Sequence, residues 1–166
     1  MDKIYYFYSV WQPKFQDEAN ISFIQGLPDK KFINDLNVKK HDLLIIDDQQ
    51  MPALNFIIIA DLFTKFSHHK NVSLVLIFQN LFHLGKYHRD ISLNAHYFIL
   101  FKNPRDIQQI KVLGSQLGKR KELLNAYSEA TKDSYSYLLI DLSPRGEPGY
   151  MFRSHIFPDE HPTVYI

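Results

Sequence analysis

Asp42-Leu43-Leu44-Ile45-Ile46-Asp47-Asp48 sets four consecutive aliphatic residues between carboxylates. A run this short, apolar on both faces, suits a parallel strand covered by helices on each side, because βαβ crossovers place helices over both faces. Working outward, Ile4-Tyr5-Tyr6-Phe7-Tyr8 reads as a buried aromatic and β-branched strand ended by Trp11-Gln12-Pro13, since proline cannot donate to a ladder. Ile21–Ile24 is a second short strand stopped by Gly26 and Pro28. Beyond Asp48 the period changes: Pro52, then Leu54, Ile57, Ile58, Ala60, Phe63 and Phe66 recur at steps of three and four, which predicts an apolar helix reaching about His69.

Val72–Phe78 is the next apolar strand, ending in Gln79-Asn80. His96–Phe101 is another, and it runs into Asn103-Pro104-Arg105-Asp106. That tetrad is a helix start, with Asn103 as cap, Pro104 in the first turn and Asp106 near the positive dipole end. Ile107, Ile110, Leu113 and Leu117 supply its buried stripe. Gly118 with Lys119-Arg120-Lys121 gives a stop, the cations facing the negative helix end, and a second helix covers roughly Glu122–Thr131. Tyr137–Asp141 is a strand ending in an acid, and extended segments follow over Tyr150–Phe157 and Thr163–Ile166. Strands alternating with amphipathic helices predict an α/β domain with a mostly parallel sheet, taken as a single domain over 1–166.

Composition agrees with a globular chain. Its 166 residues are 45% hydrophobic and 22% charged, with a formal net charge of +1. Any nucleic-acid contact must therefore come from a local patch. No cysteine is present, which excludes a disulfide scaffold, a thiol nucleophile and a cysteine zinc site. The longest apolar runs, Phe56–Ala60 and Leu74–Phe78, fall far short of the roughly 20 residues that span a bilayer, and no signal-peptide pattern opens the sequence. The expectation is a soluble, intracellular protein without membrane attachment.

In open parallel sheets, functional groups collect beyond the carboxyl ends of the strands. Asp47-Asp48, Gln79-Asn80 and Asp141 all fall at such positions. Four aliphatics and an acid form a Walker B-like pattern: the first carboxylate supports Mg²⁺ and its water shell, and the next acid orients or deprotonates an attacking water. Taken alone, the pattern also describes an ordinary solvated strand end. A glutamine at the next strand end adds a group able to sense a γ-phosphate. Asp47, Asp48 and Asp141 could alternatively hold the two metals of a Mg²⁺-dependent nuclease. His68-His69, His83 and His88 lack a cysteine or near carboxylate to complete a zinc set and read as polar loop residues. Lys119, Arg120 and Lys121 could also touch DNA phosphates.

Leu43–Gln49, Phe63–Ser73, Ile77–His83, Arg89–Tyr97 and Phe101–Asp106, in that order, resemble the FtsK–HerA-type genome-packaging ATPases of Maverick/Polinton elements, adintoviruses and related DNA viruses. The likeness extends upstream through Tyr8-Ser9-Val10-Trp11-Gln12-Pro13 and downstream through Tyr137–Leu142 and Phe152–Pro158. It implies a P-loop NTPase-like sheet and ATP-driven translocation of double-stranded DNA into a viral capsid through its portal. It also implies a homo-oligomeric ring using ATP and Mg²⁺ in a host nucleus or viral factory. By the same resemblance Asp47 is the Mg²⁺-supporting acid, Asp48 stands at the water-activating position and Gln79 is the strand-end sensor. Arg89 and Arg105 are the two candidates for an arginine finger acting on a neighbouring subunit.

One part of the pattern is missing. A P-loop needs G-x-x-x-x-G-K-[ST] so that backbone N–H groups and an ammonium cradle the phosphates. The six glycines, Gly26, Gly85, Gly114, Gly118, Gly146 and Gly149, include no pair at that spacing, and none precedes Lys-Ser or Lys-Thr. In the family the P-loop and its strand precede the Tyr5–Tyr8 segment, so the chain is expected to be a carboxyl-terminal portion that binds ATP weakly or not at all by itself. A non-catalytic remnant that assembles with a complete copy is the related alternative. The family's P-loop strand lies between the strand ending at Gln79 and the strand running to Phe101; without it both would be open edges, or would pair with each other.

Overall fold

The computed structural model describes residues 2–18, 20–49, 53, 56–81, 85–105 and 107–166. The expectations placed on Pro52, Leu54, His83 and Asp106 lie outside the described residues. The chain divides into two compact units, Met1–Asn94 and Ala95–Ile166.

The first unit is an α/β layer built on four parallel strands. These are β1 (Ile4–Tyr8), β2 (Ile21–Gln25), β3 (Asp42–Asp47) and β4 (Val72–Ile77), in the order β2-β1-β3-β4. Tyr6 sits opposite both Phe23 and Ile45, Ile45 opposite Val75, and Asp47 opposite Ile77. Side chains alternate between faces. Phe7, Leu44 and Ile46 therefore share one face, each at most 1% exposed. Each such burial contributes about 1.5–3 kcal/mol. Helix α1 (Lys30–Asp35) packs there through Phe32, whose ring meets Tyr5 and Phe7 edge-on, and through Ile33. Helix α2 (Ile57–Asp61) adds Ile58 and Ile59, then continues through a π turn (Leu62–Phe66) into α3 (Ser67–Lys70). Helix α4 (His88–Asn94) contributes Ile91.

Helices α1 and α4 fall where the sequence reading left polar connections. The cue for α1 was present: Asp29 caps it by accepting a hydrogen bond from the Phe32 N–H at 2.7 Å. The other face of the sheet carries Tyr6, Tyr8, Phe23, Ile45 and Asp47, and over β1 and β2 it is covered by a 3₁₀ turn (Pro13–Asp17) that stacks Phe15 on Phe23.

The second unit departs from the expectation of a mostly parallel sheet. Its strands are β5 (Tyr97–Phe101), β6 (Tyr137–Asp141), β7 (Phe152–Ser154) and β8 (Thr163–Tyr165), and every pairing is antiparallel, in the order β5-β6-β7-β8. The cause is the connection. A single helix between strands reverses the chain once and leaves them parallel. Here two helices, α5 (Ile107–Gln116) and α6 (Arg120–Ala130), intervene as a hairpin and return the chain to the end it left. Leu123, Ala126 and Ala130 of α6 and Leu138, Ile140 and Phe152 of the sheet are all buried in this unit.

The α5–α6 turn also corrects the boundary drawn around Lys119-Arg120-Lys121. Gly118, at φ 67°, ends α5, with the Lys119 N–H bonding to the Gly114 carbonyl and the Gly118 N–H to the Ser115 carbonyl. That double closure leaves one residue before α6 begins. The three cations therefore open a helix and do not end one. The turn can be this tight because Gly114 has no Cβ; one placed there would lie 2.8 Å from the Arg120 Cα.

Strand β4 is an edge of the first unit's sheet, and β5 is an edge of the second unit's sheet. Val75 and Ile77 on β4, and Tyr97, Ile99 and Phe101 on β5, are 42–60% exposed. Among the described residues no helix is long and apolar enough to cross a membrane.

Candidate functional site

The carboxyl rim of the parallel sheet gathers polar groups from all four strands. Asp47 ends β3 on the face shared with Tyr6, and the Tyr6 hydroxyl donates to its Oδ2. Burial, and then this bond and the negative carboxylate beside it, push the Tyr6 phenol far above its ordinary value. The phenol is therefore a fixed donor that orients Asp47 at any physiological pH.

Asp48 follows with φ 53°, a left-handed conformation that aspartate tolerates better than most side chains. That backbone turn directs its carboxylate across the rim. Its Oδ1 accepts from Gln79 Nε2 at 3.4 Å, and its Oδ2 from the Ser9 hydroxyl at 3.3 Å. Gln25, the last residue of β2, donates to the Ser9 carbonyl at 3.4 Å. Gln49 is 6% exposed and donates to the Gly26 carbonyl at 2.6 Å, which fixes the turn leaving β3 against the turn leaving β2. Asp47, Asp48 and Gln79, each singled out in the sequence, thus stand on one rim of one sheet. Tyr6, Ser9, Gln25 and Gln49 join them, and the sequence did not single these out for the site. The pairing register that sets Tyr6 diagonal to Asp47 is what reveals its role.

Magnesium demands near-octahedral oxygen ligands and usually keeps several waters, so one or two carboxylates suffice on the protein side. Asp47 and Asp48 are oxygen donors of the type magnesium takes, with Asp47 Oδ2 held by Tyr6 and the two Asp48 oxygens by Gln79 and Ser9. Among the described residues, no group of three or more His, Cys, Asp or Glu is placed to hold a metal. A triphosphate finds no comparable fit, because no glycine-rich run with a following lysine exists to hold it.

The other candidate residues are placed as follows. Arg89 lies on α4 and Arg105 just ahead of α5; both are exposed, and neither guanidinium has a hydrogen-bond or ion-pair partner among the described residues. Asn103 Oδ1 accepts from the Arg105 N–H at 3.2 Å, which shapes the entry to α5. Arg120 and Lys121 are exposed in the first turn of α6, and Lys119 is half-buried.

Asp141 is fully engaged within the second unit. Its Oδ1 accepts from the Ser143 N–H at 3.0 Å and the Ser143 hydroxyl at 2.7 Å, and its Oδ2 from Arg153 at 2.6 Å. Burial alone would raise this carboxyl; the Ser143 donors, Arg153 and His96 outweigh it and hold the group below the usual range. These contacts give Asp141 a structural role at the end of an antiparallel strand. A cavity of about 250 Å³ in the same unit is lined by Tyr137, Ser154, His155 and Glu160 among others. Its polar groups bond one another: Tyr137 donates to Glu160 at 3.0 Å, and Ser154 lies 2.9 Å from both His155 Nδ1 and the Tyr165 hydroxyl.

No family model, curated protein or solved structure matches this chain.

Proposed function

We propose that this chain is the Walker B-bearing part of a P-loop-type ATPase of the genome-packaging kind, one that drives double-stranded DNA into a capsid. The observation that carries the reading is the convergence of Asp47, Asp48 and Gln79 at the carboxyl rim of a parallel sheet, with Asp48 hydrogen-bonded to Gln79 from the adjoining strand. In that reading Asp47, oriented by Tyr6, supports Mg²⁺ and its waters. Asp48 aligns the attacking water and Gln79 reports the γ-phosphate to it. Mg²⁺ supplies charge neutralisation on the phosphates. The phosphate cradle comes from outside these 166 residues, and the open edge of β4, next to the acid-bearing strand, is where a cradle-bearing strand would pair. An arginine from a neighbouring subunit in a ring, Arg89 or Arg105, completes the site.

The test begins with the coding DNA. An in-frame G-x-x-x-x-G-K-[ST] segment upstream of Met1 is expected. The chain carrying that segment should hydrolyse ATP in a DNA-stimulated reaction that Asp47→Asn or Asp48→Asn reduces by about 10²-fold or more. Hydrolysis indifferent to both substitutions overturns the reading. So does micromolar ATP affinity of the 166-residue chain alone.

A further inference from the structure

The parallel sheet of the first unit has one face that is covered over only half its width. Phe7, Leu44 and Ile46 lie on the face where α1, α2 and α4 bury Ile33, Ile58, Ile59 and Ile91. Residues of the opposite parity lie on the other face. There the 3₁₀ turn covers β1 and β2 through Phe15. Over β3 and β4 that face carries Leu43, Ile45, Val75 and Ile77, with Ile45 beside Val75 and Asp47 beside Ile77. Val75 is 42% and Ile77 45% exposed, and Leu43 and Ile45 are half-buried. All-parallel sheets are almost always covered on both faces. The bare strip is two strands wide, about 10 Å, which is the diameter of one α-helix.

The connections within the unit fix which chain segment crosses that strip. The steps from β2 to β3 and from β3 to β4 both move toward the β4 edge, and their helices lie on the Leu44 face. The step from β1 to β2 moves the opposite way, and its 3₁₀ turn lies on the Ile45 face. One hand of crossover serves all three, in keeping with the strong preference for right-handed connections between parallel strands. A strand added outside β4 and leading into β1 moves in the same sense as the step from β1 to β2. Its crossover therefore passes over β4 and β3 on the Ile45 face, where the sheet is bare. A strand parallel to β4 ends at the carboxyl rim, so the crossing helix starts there. Asp47 stands at that end of the strip, and a carboxylate is favoured beside the positive end of a helix.

We infer that Leu43, Ile45, Val75 and Ile77 are the docking face of one amphipathic helix that follows the cradle-bearing strand and starts beside Asp47. The inference rests on the strand addition at β4 proposed above and adds the surface that its return connection occupies. The six residues of β4 extend about 20 Å. A helix crossing back over them needs about 13 residues, with apolar side chains at i, i+3, i+4 and i+7 facing the sheet.

The chain has no cysteine, so an introduced thiol reports on its own position alone. Val75→Cys and Ile77→Cys probe the strip, and Val38→Cys, 54% exposed in the turn between α1 and β3, is the control. Each is prepared in the 166-residue chain and in the chain extended by its upstream coding segment, and the rate of modification by a thiol reagent is measured. In the shorter chain all three are expected to react at similar rates. In the extended chain Val75→Cys and Ile77→Cys should slow by roughly tenfold or more, with Val38→Cys unchanged. A proline placed in the middle of the added helix should restore the rates. Unchanged rates in the extended chain overturn the docking face, and leave the proposed function standing where that chain hydrolyses ATP. Protection in an extended chain that does not hydrolyse ATP keeps the docking face and removes the ATPase reading. Protection in the 166-residue chain that fades on dilution assigns the strip to a second copy and overturns the helix. Protection there that survives dilution means the 166 residues cover the strip themselves, and overturns it as well. An upstream sequence with no strand and helix in frame overturns both readings.

Discussion

Replacing Tyr6 by phenylalanine removes one oxygen and nothing else from the aromatic plate. In the native chain that oxygen donates to Asp47 and supports no other described contact. A hydrogen bond to a charged acceptor contributes about 1.5–3 kcal/mol, and the half-buried setting of Tyr6 places this one near the lower end, about 1–2 kcal/mol. Urea denaturation at neutral pH should therefore show Tyr6→Phe less stable by that amount with an unchanged m-value. The dependence on pH is sharper evidence. Burial and the Asp47 carboxylate raise the Tyr6 phenol in the folded state above its ordinary value near 10, so the stability it contributes is complete below about pH 10 and is lost as pH rises beyond that. At pH 10.5 the unfolded phenol is already mostly ionised while the folded one is not. The gap between native and variant should narrow steadily from pH 10 to pH 11, by at most about 1.4 kcal/mol per pH unit. Taking the difference between the two proteins removes the other tyrosines and lysines from the comparison. A gap below about 0.3 kcal/mol at pH 7, or one that stays constant from pH 8 to 11, refutes the argument that Tyr6 is the fixed donor to Asp47.

Two further outcomes test the second unit. Asp141→Asn breaks the 2.6 Å pair with Arg153 while keeping the Ser143 contacts, and should cost about 2–3 kcal/mol in chemical denaturation. Because the Asp141 carboxyl is lowered from 3.8, its contribution is present above about pH 4 and fades as pH falls through the folded value. The variant should accordingly show a flatter stability profile below pH 4. Gly114→Ala forces a Cβ to within 2.8 Å of the Arg120 Cα, against backbone that cannot swing aside. A loss of about 1–3 kcal/mol in thermal or urea unfolding is expected, whereas the same substitution in an open helix would stabilise it.

The parallel half of the fold was legible because its strands are bounded by abrupt changes of residue type: Leu43–Ile46 by carboxylates, Val72–Phe78 by Gln79-Asn80. Such boundaries also marked the site, since polar groups at the ends of buried strands have nowhere to go but the rim. What the sequence hid was direction. Tyr137–Asp141 carries the same aliphatic-then-acid pattern as Asp42–Asp47, yet it runs antiparallel to its neighbour because two helices precede it instead of one. Residue pattern records burial, whereas strand direction follows from the number of chain reversals between strands, which the aliphatic-then-acid pattern does not carry. Both helices were read there, and the Lys119-Arg120-Lys121 run misplaced only the boundary between them, since cations usually mark a helix end and here Gly118 had already closed the helix before them. Tyr6 was unreadable for a different reason. Its link to Asp47 depends on the register between two strands some forty residues apart, which no local rule supplies.

The open margins of β4 and β5 have a practical side. Val-Ser-Leu-Val-Leu-Ile and Tyr-Phe-Ile-Leu-Phe contain neither a charge nor a proline to discourage growth by strand addition. In a purified preparation these ladders invite copies to zip together.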